Sequence, residues 1–131
     1  MNFLGIDYGK KRFGIAYAST ENKVVIPLET IFAGDVSGAI IQLKQLVQER
    51  EISLIVMGLP LDFKMKETLI CQEIKKFGAA LEKSIGVKVE YLNEVLSSDL
   101  SKKITGKKDK DDSVAAQIIL RDYLLKYGSN H

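Results

Sequence analysis

A chain of 131 residues, 46% hydrophobic and 27% charged, can bury one core but hardly two, so one domain spanning residues 1–131 is expected. A single cysteine, Cys71, excludes an internal disulfide and argues against a thiolate zinc cluster; a single histidine, His131 at the last position, removes Ser-His-Asp and Cys-His catalysis. The net charge of +2 does not announce a nucleic-acid binder, and any chemistry must use carboxylates, lysines or hydroxyls.

Along the chain, Phe3 to Tyr8 reads as a strand, followed by a Gly9-Lys10-Lys11-Arg12 turn and a second β-rich run from Phe13 to Ala18, together a hairpin. Val24-Val25-Ile26 through Ile31-Phe32 continues the meander, with Pro27 placing that strand near an edge. The period then changes. Val36, Ile40, Leu43 and Val47 recur at helical spacing, with Asp35 or Ser37 as N-cap and an end near Arg50. Ile52 to Leu61, interrupted by Ser53, Gly58 and Pro60, is far short of the roughly 20 residues of a membrane span and reads as a buried strand, Leu54 to Met57, with its exit loop. Ile70, Ile74, Phe77 and Leu81 mark a second helix that Gly86 terminates, and Cys71 inside it suits a small buried hydrophobe. Val87 to Leu92 is a further strand. A short helical pattern through Leu96, Leu100 and Ile104 leads to a lysine-rich loop, and a last helix follows with Val114, Ala115, Ile118, Ile119 and Leu125 as its apolar face and Gly128 as its stop. Three antiparallel strands, then two parallel ones joined by helical crossovers, predict an α/β fold with a five-stranded mixed sheet of ribonuclease-H-like outline.

Asp7 closes the apolar run Phe3-Leu4-Gly5-Ile6, where an uncompensated carboxylate is costly. Ligands of open α/β sheets collect at the carboxyl ends of parallel strands, and Val87 to Leu92 delivers Asn93 and Glu94 to that same edge. Asp111 and Asp112 stand where the last helix begins. Carboxylates gathered this way repel one another unless a cation joins them, and magnesium, or manganese in its place, suits oxygen ligands and phosphate. Two such ions about 3.5–4 Å apart can serve phosphodiester hydrolysis without a histidine. Each acid also has a structural role open to it: Asp7 in the Gly9 turn, Glu94 in a first helical turn, Asp111 or Asp112 as an N-cap. Gly9 and Gly14 have phosphate-loop spacing, but Ile15-Ala16 follows where Lys-Ser/Thr is needed, so Gly5, Gly9 and Gly14 are read as turn and packing glycines. The clusters Lys10-Lys11-Arg12 and Lys102 to Lys110, with Lys107, Lys108 and Lys110, are candidates for substrate phosphates; solvated loops are the plain alternative.

Gly5-Ile6-Asp7-Tyr8-Gly9-Lys10-Lys11-Arg12-Phe13-Gly14-Ile15-Ala16, Val56-Met57-Gly58-Leu59-Pro60-Leu61 and Asp112-Ser113-Val114-Ala115-Ala116-Gln117-Ile118-Ile119-Leu120 together resemble the YqgF family, nearly end to end and in order. Members of that family are described as pre-16S rRNA nucleases similar to Holliday-junction resolvases. The resemblance implies a ribonuclease-H-like domain whose catalytic and metal-holding acids match Asp7, Glu94 and Asp112, with Asp111 as a substitute for the last. It also implies 5′-end maturation of 16S rRNA, hence ribosome biogenesis, in the bacterial cytoplasm. The opening residues, without a basic leader or a small-residue cleavage site, agree with that location. Two departures stand out: the family's Asp-Glu-Arg reads Asn93-Glu94-Val95 here, and its polar, glycine-containing turn after Gly-Leu-Pro-Leu reads Asp62-Phe63-Lys64-Met65-Lys66. Lys64, Lys66 or the later lysines are candidates to replace the lost arginine charge.

The expectation is therefore a magnesium-dependent nuclease on structured RNA, monomeric or homodimeric, with no membrane partner. Resolution of branched DNA, which would call for a two-fold dimer, is the runner-up. An inert nucleic-acid-binding module, suggested by Val95, belongs to a different class. A sugar-kinase-type phosphotransferase shares the Asp-x-Gly hairpin but needs a second lobe that this chain is too short to supply.

Overall fold

The computed structural model describes residues 1–9, 11–21, 24–32, 34–61, 64, 66, 68–95 (of Val95 only the backbone) and 113–127. Five strands, β1 (Asn2–Asp7), β2 (Arg12–Ser19), β3 (Val25–Phe32), β4 (Leu54–Leu61) and β5 (Lys88–Val95), form one sheet in the order β3-β2-β1-β4-β5. β1 pairs antiparallel with β2, and β2 with β3, while β4 runs parallel to both β1 and β5. The predicted mixed sheet is thus present, with Pro27 on an outer strand as its missing N–H requires. Among the described residues three helices flank the sheet: α1 (Val36–Glu49), α2 (Leu69–Ile85) and α3 (Ser113–Tyr127).

Two apolar clusters form, one on each face of the sheet. Leu4, Ile6, Ile15, Ile55 and Met57 pack with Leu43 of α1 and with Ile74, Phe77 and Leu81 of α2. On the opposite face Phe3, Ala16, Ala18, Val56 and Leu92 pack with Ala116, Ile119, Leu120 and Tyr123 of α3. Because successive residues of a strand point to opposite faces, β4, central and covered on both sides, is apolar throughout, as its sequence predicts.

Several boundaries differ from the sequence reading. β4 does not end at Met57 in an exit loop; it continues through Gly58 and Pro60 because pairing with β5 runs on to Leu61. β1 leaves the ladder after Met57, so Pro60 meets a strand on one side only, and its carbonyl accepts from Thr68 Oγ1 and Cys71 Sγ, each at 3.2 Å. Cys71 is fully buried, as expected of a small core residue. Likewise β5 extends to Val95, placing Asn93 and Glu94 within the strand rather than beyond it. Asp35 occupies the N-cap position of α1 without a side-chain capping bond. The buried face of α3 is Ala116, Ile119, Leu120 and Tyr123; Leu125, assigned to that face from spacing, is 80% exposed, and Val114, Ala115 and Ile118 are half-buried. A helix apolar on several sides leaves its orientation to what it packs against, and here that is Gly5 of β1 and Gly58 of β4. The helical pattern at Leu96 to Ile104, the lysine-rich loop and Gly128 lie outside the described residues.

Gly86 ends α2 at φ 83°, its N–H bonded to Glu82 O at 2.8 Å. A Cβ there would touch nothing within 4 Å, so Gly86→Ala should cost only the left-handed backbone, about 1 kcal/mol. Urea denaturation checks this, and an unchanged midpoint would mean that the turn relaxes out of that conformation.

Candidate active site

Asp7 is the last residue of β1 and Glu94 the penultimate residue of β5. Strand alternation puts both on the face covered by α3. Phe3, two residues before Gly5 and four before Asp7, belongs to the cluster on α3, and Leu92, two before Glu94, belongs to it too. Tyr123 fixes the helix over the same strand by donating its hydroxyl to Glu90 Oε1 at 2.6 Å. That bond, together with burial, raises the Tyr123 pKa. The parallel strands β1, β4 and β5 end together, and at that rim Asp7, Tyr8, Gly58, Pro60 and Glu94 line one cavity of about 130 Å³ with Ile70 and Ile74 of α2 and Ala115, Ile118 and Ile119 of α3.

The two carboxyl groups differ in setting from ordinary surface acids. Both residues are half-buried. Glu94 Oε1 is shielded from solvent and has no hydrogen-bond partner among the described residues. Burial pushes the Glu94 pKa up to about 7, a hydrogen bond with Asp122 and its negative charge add to the rise, and Lys126 opposes it. A partly buried carboxylate beside a second negative charge is relieved by taking up a proton, or by a cation in its place. Glu94, with a buried oxygen left over, therefore fits an oxygen-ligated divalent ion better than it fits a plain helix cap or a surface pair.

Of the residues singled out from sequence, Asp7 and Glu94 are brought to one cavity. Asp112 and its alternative Asp111 lie outside the described residues; the helix that follows them begins at Ser113. Among the described residues, no group of three or more acidic, histidine or cysteine side chains is placed to hold a metal ion. Lys11 and Arg12 are exposed at the β1–β2 turn, Lys64 and Lys66 are exposed after β4, and Lys10, Lys107, Lys108 and Lys110 lie outside the described residues. Sequence reading missed Asp122. Its signal was helical: Asp122 stands seven residues after Ala115, four after Ile118 and three after Ile119, all of which line the cavity. Tyr8, read only as part of a motif, also lines the cavity; burial, with the Glu73 carboxylate beside it, raises its pKa. Among the described residues no helix is long and apolar enough to cross a membrane.

Comparison with known proteins agrees with this geometry. A family model described as "RuvX: Holliday junction resolvase" matches residues 1–126. A protein of Mycoplasma mobile named "Putative pre-16S rRNA nuclease" is 35% identical over 135 residues, covering 97% of this chain and 94% of its own length. A protein of the same name from Chlamydia caviae is 34% identical over 133 residues, with 93% of this chain and 82% of the relative covered. Among solved structures, Thermus thermophilus RuvC in complex with Holliday junction substrate superposes with a TM-score of 0.64 at 12% identity, covering 98% of both chains. The fowlpox virus Holliday junction resolvase gives 0.59 at 13% identity, covering 96% of this chain and 99% of its own. At such identities the likeness establishes the fold, which is ribonuclease-H-like.

Proposed function

This chain belongs to the RuvX family, the one its motifs resembled under the name YqgF, a family of nucleases and so of phosphodiester hydrolases, and we propose that it is a divalent-cation-dependent nuclease acting on structured RNA. The reading extends to 5′-end maturation of pre-16S rRNA in the cytoplasm by a single domain. Its substrate rests on the names of the curated relatives. Its mechanism rests on one observation: carboxyl groups from two strands, Asp7 and Glu94, face one cavity, and Glu94 carries a buried oxygen that nothing among the described residues satisfies.

Asp7 and Glu94, with Asp112 as the third acid, would hold magnesium, or manganese in its place. The bound cation would neutralise the carboxylates and polarise the phosphodiester. β1 and β5 fix the two carboxyl groups from the sheet, whose backbone ladder leaves little freedom to their Cα atoms. Above a pH of about 7 Glu94 is ionised and available as a ligand; below it, its own proton competes with the cation. Lys11 and Arg12, exposed where the turn after Asp7 enters β2, would meet the phosphate backbone. The resolvase description of the family model supports branched DNA as the alternative substrate.

The test is cleavage of precursor 16S rRNA and of a four-way DNA junction, with magnesium or with EDTA, by the native chain and by Asp7→Asn. RNA should be cut only with the cation, and Asp7→Asn should lower the rate about a thousandfold while leaving the melting temperature within a few degrees. Cutting of the junction alone would transfer the assignment to DNA. No cation-dependent cutting of either would overturn the nuclease reading in favour of an inert binding module.

A further inference from the structure

Among the described residues, the lining of the cavity beside its two carboxyl groups is apolar. Ile70 and Ile74 form one wall, Ile118 and Ile119 another, and Tyr8 presents its ring next to Asp7. That ring is held in place: it stacks on Phe13 at a centroid distance of 5.1 Å and meets Phe77 at 5.5 Å. A catalytic cleft that only had to grip phosphates and cations would be lined by cationic and polar groups. A nucleic acid strand offers one apolar, planar group to such a place, the face of a base that is not stacked in a duplex.

We propose that this cavity is a base-binding subsite that takes one unpaired nucleobase of the substrate strand, with Tyr8 as the stacking platform. The size agrees: at about 130 Å³ the cavity is comparable to an apolar cavity of about 150 Å³ that takes up benzene, which allows one ring system and excludes a base pair. The position agrees as well, because Asp7 and Tyr8 are consecutive and line the same cavity, so that a phosphate at the carboxyl groups would leave an adjoining base within reach of the tyrosine. The consequence is a substrate class. The nuclease would act where a strand is unpaired next to the scissile phosphate, at a single-stranded extension or a branch point, and not within a continuous duplex. This inference rests on the nuclease reading above, but its test does not depend on cleavage.

Binding is measured in EDTA, by fluorescence anisotropy, for a single-stranded RNA oligomer and for an oligomer of equal length in which tetrahydrofuran replaces every base, so that the phosphate charge is the same. The native chain should bind the base-bearing strand more tightly by about 5- to 150-fold, the range that stacking of one base on an aromatic side chain gives. Tyr8→Ala should close that gap and Tyr8→Phe should keep it. Since Tyr8→Ala also removes a ring from the Phe13 and Phe77 cluster, Ala115→Phe, which fills the cavity from the α3 side, provides a second variant and should close the gap too. Equal binding of the two oligomers by the native chain would overturn the subsite, as would a gap that survives both Tyr8→Ala and Ala115→Phe. A gap without any cation-dependent cleavage would retain the subsite and reject the nuclease reading; cleavage without a gap would do the reverse.

Discussion

Replacing Glu94 with glutamine should abolish cleavage and at the same time make the protein more stable above pH 7. Both effects come from the same atoms. The side chain keeps its shape, so α3 and the sheet need not move, but a neutral amide cannot serve as an anionic ligand, and loss of about a thousandfold or more in rate follows if Glu94 holds the cation. The stability effect follows from linkage. Burial and Asp122 raise the folded-state pKa of Glu94 from 4.5 to about 7, so between those values the folded chain holds a proton that the unfolded chain has lost. The contribution is fully present below pH 4.5 and disappears as pH rises through 7. At pH 8 the folded native chain carries a strained carboxylate that glutamine removes. Each pKa unit is about 1.4 kcal/mol, and partial solvent exposure screens the interaction, leaving about 1–2 kcal/mol for Glu94→Gln. The measurement is the melting temperature of both proteins at pH 5 and pH 8, without and with magnesium. The native protein should lose stability relative to Glu94→Gln between the two pH values, and magnesium at pH 8 should restore it in the native protein only. A melting temperature that falls in Glu94→Gln at pH 8, or that magnesium raises equally in both, would remove Glu94 from the cation site.

The sheet was legible because each of its strands states its surroundings. β1 and β4 are continuous apolar runs and are central; β3 carries Pro27 and exposed Ile26 and Phe32 and is an edge. Helices α1 and α2 were legible from period, and Gly86 fixed the end of α2 because its positive φ suits glycine. The two acids Asp7 and Glu94 could be paired from sequence because strand ends in an α/β sheet converge on one rim. What failed was α3. With apolar residues on several sides of Ser113–Tyr127, spacing alone allowed a face that included Leu125, and the actual face was selected by a tertiary fact, the bare backbone of Gly5 and Gly58 beneath Ala116, Leu120 and Ile119. Asp122 was overlooked for the same reason: a carboxylate on a helix whose orientation is unknown cannot be assigned to a site. Tyr8 was hidden by its motif, since a residue flanked by Asp7 and Gly9 draws no notice until its ring is seen among Phe13 and Phe77.

That close approach sets the other large effect. Gly5→Val should destabilise the protein by about 2–3 kcal/mol and lower cleavage by more than the loss of folded protein explains. A Cβ at Gly5 would lie 3.0 Å from the carbonyl oxygen of Ala116 and 3.1 Å from Leu120 Cβ. Neither partner can turn aside. The oxygen belongs to the helix backbone, and Gly5 is itself fixed on both sides, opposite Ala16 in β2 and Val56 in β4. Relief therefore requires α3 to lift away from the sheet, and α3 carries Ala115, Ile118 and Ile119 into the cavity and Asp122 to Glu94. The comparison at Gly58 separates this account from a general intolerance of glycine replacement. A Cβ there would come still nearer, 2.7 Å, but to Ile119 Cδ1, the end of a side chain that can change rotamer. Gly58→Ala should consequently cost less than Gly5→Ala, although simple distance ranks them the other way. Urea denaturation of Gly5→Ala, Gly5→Val and Gly58→Ala, with cleavage measured at a temperature where each is folded, decides the matter. Equal costs at the two glycines would mean that the helix yields as readily as a side chain, and α3 would then not be what holds the site together.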